Sequence, residues 1–369
     1  MKDRILFIGG ADTSKISNEV SEENYEQYFD IAGGNVGNFV YTMYLKSYID
    51  YDIEQSQHIF FAQELDNIKN IDESFDKVVV CCANQINPRD TYLLQFYNFL
   101  EKTSLPIILL GLGCQSDVSY SMDFLHNIPE HIKFLNMLQK KKALIGVRGK
   151  FTKECFDRMG INCDITGCPS FYKNGSSITV KDNLSEHPLI DVSCEWFENK
   201  DIWYEVIEKT PCNIICQSRG ELSLYKLSKS VADEGDYVRL QSLLGKKFTK
   251  DKAINESNSF IGRCRIFFKI DEWENFIKTR DFYIGPKIHG CLMHLINGIP
   301  ALLIVHDSRT REFAEFMNIP HIMSSDIAPD MDLKKYYFSY NSRKFVEHYP
   351  KLFEQYTAFL DKAQLKYHF

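Results

Sequence analysis

Short, nearly continuous apolar runs alternate along the chain with stretches whose apolar residues recur at helical spacing. RILFIGG (4–10), KVVVCCA (77–83), PIILLGLG (106–113) and ALIGVRG (143–149) read as buried strands. NFVYTMYLKSYI (38–49), DTYLLQFYNFLEK (90–102) and KFTKECFDRMG (150–160) read as helices, the last closed by Gly160. Strand and helix in turn, with strands apolar on both faces, predict a parallel sheet covered on both sides. From residue 167 the rhythm lapses. GCPSFYKNGSSITVKDNLSEHP (167–188) is rich in Gly, Pro, Ser and Asn and reads as a connection. It resumes with CNIICQ (212–217), CRIFFK (264–269), DFYIG (281–285) and ALLIV (301–305) as strands, and DEWENFIK (271–278), HGCLMHLIN (289–297) and REFAEFM (311–317) as helices. The tail, 343–369, reads as helical with one proline break. The expected fold class is α/β, with two Rossmann-like, doubly wound parallel-sheet domains. These are 1–170 and 201–340, joined by a linker at 171–200 and followed by C-terminal helices at 341–369.

Composition narrows the partners. The formal net charge of −7 argues against a nucleic-acid grip and a polybasic membrane anchor. A local cluster of cations for an anionic substrate stays open. No apolar run reaches the roughly 18 residues that span a bilayer. The first run is followed by Asp12 and Ser14 and reads as a strand, not a secretion signal. Eleven cysteines lack metal-ligand spacing, and several sit inside apolar runs. They are expected to be reduced and mostly buried, in a cytoplasmic protein.

In doubly wound sheets ligands bind beyond the carboxyl ends of the strands, so chemistry belongs at the strand-to-helix joints. GGNVGN contains Gly34, Asn35, Gly37 and Asn38 before a helix. Its small residues would let backbone N–H groups approach an anion or a sugar, or it is a plain tight turn. Asn84 and Gln115 follow two buried strands, where loop capping is the alternative use. Arg148 ends a strand just before a helix, with a surface ion pair as its ordinary alternative. The most unusual joint is GPKIHG (285–290), between DFYI and CLMHLIN. Pro286 suits a first helical turn, and Lys287 and His289 flank it. HDSRT (306–310) adds His306, Asp307 and Arg309. Lys287, His289, His306 and Arg309 are expected on one rim. A helix N-terminus and nearby cations disfavour the imidazolium form of His289, and a bound multivalent anion would reverse this. That behaviour suits a general acid.

The ordered set GGNVGN, VRGKFTKECFDRMGI, GCPSFY and DFYIGPKIHGCLMHLINGIPALLIVHDSRT resembles the polysaccharide pyruvyl transferases, proteins similar in fold to two-domain GT-B glycosyltransferases. The likeness spans about 31–320. It implies a donor, phosphoenolpyruvate, and an acceptor that is a sugar or a lipid-linked glycan. It implies His289 as general acid, with Arg148 and Lys287 holding the donor's carboxylate and phosphate within the Lys287-Ile288-His289-Gly290 motif. Arg309 is a further donor contact. Arg is usual where Lys287 stands, and Lys lacks the two-pronged grip on a carboxylate. The implied reaction needs one acid and several cations, and no metal or other cofactor. The resemblance also returns the final helices to the N-terminal domain. It allows peripheral membrane contact through a lipid-linked acceptor, with no integral membrane segment.

Two alternatives stand beside it. A GT-B glycosyltransferase with a nucleotide-sugar donor would need a carboxylate for the ribose, for which Glu221 or Glu312 is available. A non-catalytic anion- or glycan-binding protein on the same fold is the other. Acceptor contacts are expected mainly from N-terminal loops, including 10–30. There Tyr25, Tyr28 and Phe29 either stack on a sugar or staple the loop to the domain.

Overall fold

The computed structural model describes residues 2–16, 20–182, 185–245, 248–251 and 262–369. Two six-stranded sheets, with every pairing parallel, organise these residues. The first contains β1 (Ile5–Ile8), β2 (Gln57–Ile59), β3 (Lys77–Cys81), β4 (Ile107–Leu112), β5 (Leu144–Val147) and β6 (Asp164–Ile165), in the order β2-β1-β3-β4-β5-β6. The second contains β7 (Ile190–Val192), β8 (Cys212–Cys216), β9 (Cys264–Ile266), β10 (Phe282–Gly285), β11 (Ala301–Val305) and β12 (His321–Met323), in the order β12-β11-β10-β7-β8-β9. The central strands are buried on both faces, as their unbroken apolar runs require.

Each sheet reverses its winding direction once. In the first, the chain leaves β1 for β2 on one side and β3 on the other. In the second, it builds β7, β8 and β9 outward and returns to place β10 on the free side of β7. Crevices open at such switch points. Here the two crevices face each other across the domain boundary.

The linker assignment needs correction. Residues 171–200 contain β7, an inner strand of the second sheet. It was hidden because it is three residues long and carries Asp191 at its centre. That carboxylate is buried and accepts hydrogen bonds from Asn213 Nδ2 at 3.2 Å and His294 Nε2 at 3.1 Å. β2, β6 and β12 were also unread, being two or three residues long.

The tail is one helix, Arg343–Lys362, which continues through Pro350 instead of breaking there. Its buried stripe of Phe345, Tyr349, Leu352, Tyr356 and Phe359 repeats every three or four residues. Tyr356 stacks on Tyr172 at 4.3 Å, and its hydroxyl lies 2.6 Å from that of Tyr48. The chain end bridges from Tyr367 to Ile49. The tail thus packs on the N-terminal domain. Among the described residues, no helix is long and apolar enough to cross a membrane. All eleven cysteines are free, and all but Cys163 are buried.

Candidate active site

The two switch points enclose a cavity of about 320 Å³. Gly10 and Asn84, beyond β1 and β3, supply one wall. Glu195, Lys287, Ile288 and His289, beyond β7 and β10, supply the other. Asn35, Asn38, Gln115, Arg148 and Arg309 also line it, so most of the expected residues converge on one space.

Arg148 is anchored but not exhausted. Its Nε donates to Gly111 O at 2.8 Å and its Nη1 donates to Asn84 Oδ1. Nη2 is buried with no protein partner. Asn84 in turn donates to Cys114 O at 3.1 Å, so the pair is fixed by the ends of β3 and β4. This makes Arg148 a positioned guanidinium, not a surface ion pair.

His289 sits in the first turn of the helix Ile288–Ile296, whose N-terminus has no side-chain cap. Its ring stacks on Tyr41 at 5.8 Å, and its Nε2 is buried without a partner. Burial first, then the charges of Arg148 and Arg309, push its pKa down to about 3. The direction is the one expected from the sequence, with desolvation outweighing the charges. Gly37 permits the close approach of this ring, since a Cβ there would lie 2.5 Å from His289 Nδ1. Gly290 does similar work on the other face. A Cβ there would lie 2.4 Å from the Tyr283 hydroxyl and 2.8 Å from Gln217 Nε2.

Lys287 lines the cavity, but its charge is already matched. Its Nζ lies 2.7 Å from Glu195 Oε2 and 3.6 Å from Glu221 Oε2. Burial would raise the pKa of Glu195, yet Lys287 and Arg309 hold it down at about 2. Lys287 is therefore not a free anion clamp. Arg309 pairs with Asp307 at 3.2 Å, and Gln115 Nε2 donates to the same carboxylate at 3.2 Å.

Other expectations resolve differently. In GGNVGN the N–H groups of Gly34 and Asn35 donate to Phe29 O and Ala32 O at the end of the preceding helix, that of Val36 to Gln217 O and that of Asn38 to Asn35 O, and Gly37 N–H is taken by Asn35 Oδ1 at 2.8 Å. The plain-turn alternative holds there, and Gly34 does not reach the cavity while Gly33 does. His306 does not join His289; it tilts against Phe197 and faces a neighbouring groove. His294 is structural, held between Gly290 O at 2.7 Å and Asp191. Tyr25, Tyr28 and Phe29 surround Phe268 of the second domain at 4.9–5.3 Å, so they staple the two domains together.

The carboxylates reserved for a nucleotide ribose are occupied. Glu221 accepts from the backbone N–H groups of Cys194, Gln217 and Ser218. Glu312 accepts from Thr152 N at 2.7 Å and Oγ1 at 2.8 Å.

Gln217, Glu195 and Tyr41 were missed. Gln217 Nε2 is buried and unpartnered, and it lines the cavity. Its signal was present, since it ends the β8 run just as Asn84 and Gln115 follow theirs.

The chain is similar in fold to the S. aureus MnaA–UDP co-structure, at 15% identity and a TM-score of 0.42, over 97% of this chain and 91% of that one. It is likewise similar to UDP-N-acetylglucosamine 2-epimerase from Rickettsia bellii (12%, TM-score 0.44, 98% and 97%) and to CalG4, the calicheamicin glycosyltransferase (10%, TM-score 0.39, 99% and 97%). No curated protein matches the sequence. A family model described as polysaccharide pyruvyl transferase matches residues 23–308, which cover the GGNVGN turn, Arg148 and the whole GPKIHG joint, and the chain belongs to that family.

Proposed function

We propose that this transferase moves the pyruvyl group of phosphoenolpyruvate onto two hydroxyls of a sugar in a polysaccharide or glycan precursor, in the cytoplasm, forming a cyclic ketal and releasing phosphate. One observation carries the reading. Arg148 Nη2, Gln217 Nε2 and His289 Nε2 are all buried, all lack a protein partner and all belong to side chains lining one small cavity. Buried polar groups are normally satisfied, so three orphans in one place await a polar ligand, and the guanidinium selects an anion.

Arg148 and Gln217 would hold the carboxylate and phosphate oxygens. The free protein keeps His289 neutral, and a bound multivalent anion raises its proton affinity at the moment the donor is in place. The imidazolium then gives its proton to the donor's methylene carbon, leaving an oxocarbenium-like centre at the second carbon. A sugar hydroxyl attacks that centre and loses its proton. The carbon–oxygen bond to phosphate breaks, phosphate leaves with one proton, and a second hydroxyl closes the ring. The two hydroxyl protons account for the new methyl hydrogen and the proton on phosphate. Phosphate release from phosphoenolpyruvate in the presence of glycan acceptors tests the reading. A full acceptor panel giving no phosphate, with no thermal stabilisation by the donor, would refute it.

A further inference from the structure

A groove of about 1360 Å³ opens directly from the donor cavity. Tyr92, Gln115, Asp90, Glu195 and Arg309 line both spaces, so they form the doorway between them. Beyond the doorway the walls carry Trp196, Arg89, Asp117 and Glu198. Trp196 is 64% exposed, whereas Trp203 and Trp273, the other two tryptophans, are each 1% exposed. Its backbone is held by a bond from its N–H to Glu195 Oε1 at 2.8 Å, and Lys200 Nζ lies 5.2 Å from its ring centre. A large indole left in water inside a concave wall that also carries charged side chains is a binding feature, because a tryptophan serving only packing would be covered.

We propose that this groove is the acceptor subsite and that Trp196 is the platform on which a pyranose ring of the acceptor glycan stacks, with the reacting hydroxyls passing the Asp90–Glu195 doorway. The inference rests on the donor reading given above and adds the place and chemistry of the second substrate. A pyranose presents an apolar C–H face to an indole and a rim of hydroxyls to carboxylates and guanidinium groups. The groove offers both kinds of surface. A second space that adjoins the donor cavity fits less well. It measures about 370 Å³, shares only Phe60 with the donor cavity, and has its Asp12 occupied by Lys46 at 2.7 Å and His58 at 3.1 Å. On this reading the acceptor contacts come from the N-terminal-domain loops at 87–92 and 115–117, as expected of that domain, together with the loop after β7 that carries Trp196, and not from residues 10–30.

Tryptophan emission gives a direct test, since Trp196 is the tryptophan that acrylamide reaches. The full chain would be titrated with neutral tetrasaccharides of β-1,4-glucose, β-1,3-glucose, β-1,4-mannose, β-1,4-galactose and β-1,4-N-acetylglucosamine. At least one should protect the emission from acrylamide. By calorimetry, Trp196→Ala should bind that sugar at least tenfold more weakly, and Trp196→Phe should recover part of the affinity. Circular dichroism and the donor-induced rise in Tm should be unchanged in both variants. The same sugar on a polyprenyl diphosphate, in detergent, separates the two sources: tighter binding than the free sugar assigns the groove to a lipid-linked acceptor, equal binding to a free glycan. The proposal is overturned if no sugar protects the wild type, or if Trp196→Ala binds the sugar as tightly as the wild type. A wild type that binds sugar but is not stabilised by phosphoenolpyruvate would sink the donor reading and leave the groove assignment standing.

Discussion

Lys287 Nζ lies 2.7 Å from Glu195 and 3.6 Å from Glu221, so one buried cation serves two carboxylates. A donor anion entering the cavity thus meets a neutralised lysine and an open arginine. Glu195→Gln should free the lysine's charge and tighten phosphoenolpyruvate binding by about tenfold, ~1.4 kcal/mol. Lys287→Ala should instead destabilise the fold by about 3–5 kcal/mol, because Glu221 stays buried without its cation. Calorimetry with the donor and denaturant titration check the two. An unchanged donor affinity in Glu195→Gln would place Lys287 out of reach of the donor's charge.

Burial and the charges of Arg148 and Arg309 push the His289 pKa down to about 3 in the free protein, so at neutral pH it is the neutral imidazole and lacks the imidazolium proton. On the proposed mechanism, donor binding is accompanied by proton uptake. Calorimetry near pH 6.5 in buffers of differing ionisation heat should register that proton in the wild type and not in His289→Gln. His289→Gln should still bind donor but lose about 10²–10⁴ in kcat, the usual contribution of general acid catalysis. Wild-type kcat in that variant would assign the acid to another group.

The sequence exposed the long central strands and the joints after them, because parallel strands buried on both faces read as unbroken apolar runs. Arg148, Lys287 and His289 were legible for the same reason, each standing just beyond such a run. β7 was not legible, since Asp191 interrupts it and the partners that satisfy that charge, His294 and Asn213, come from elsewhere in the chain. The neutralisation of Lys287 was equally hidden. Glu195 and Glu221 lie 92 and 66 residues away, and only tertiary structure brings them to one nitrogen. Tyr25, Tyr28 and Phe29 were visible as an aromatic cluster, but their partner, Phe268, belongs to the other domain.

Glu312 belongs to the helix Ser308–Met317 of the second domain, and it caps the helix Lys150–Arg158 of the first through Thr152. Burial raises its pKa to about 7, against the lowering effect of its bonds to Thr152. A carboxyl whose folded pKa lies above its unfolded value of 4.5 holds an extra proton in the folded state between those two pH values. Its contribution to stability is present below about 4.5 and is lost as pH rises through about 7. The loss is on the order of 3 kcal/mol. His289 acts oppositely, its lowered pKa costing stability as pH falls below about 6.5. Glu312→Gln removes the first effect and leaves the second. Between pH 5 and 8 the wild type should lose several degrees of Tm relative to this variant, measured by scanning calorimetry in matched buffers. Parallel curves would show that Glu312 does not titrate in that window.

Two glycines of one turn should fail in opposite ways. A Cβ at Gly37 would meet the ring of His289 at 2.5 Å, the far end of a movable side chain, and its φ is not in the left-handed region. Gly37→Ala should therefore keep its fold while displacing the imidazole from the position that stacks on Tyr41. Gly34 is the converse. Nothing lies within 4 Å of a Cβ there, but its φ is +81°. Gly34→Ala should cost about 1–2 kcal/mol of stability through backbone strain and leave turnover unchanged. Displacing a catalytic group by an ångström costs on the order of 10²-fold, so Gly37→Ala should lose most of its kcat at nearly unchanged Tm and donor affinity. Steady-state phosphate release and thermal melts on the two variants decide it. A Gly37→Ala enzyme with wild-type kcat would mean that the position of His289 is not what the reaction depends on.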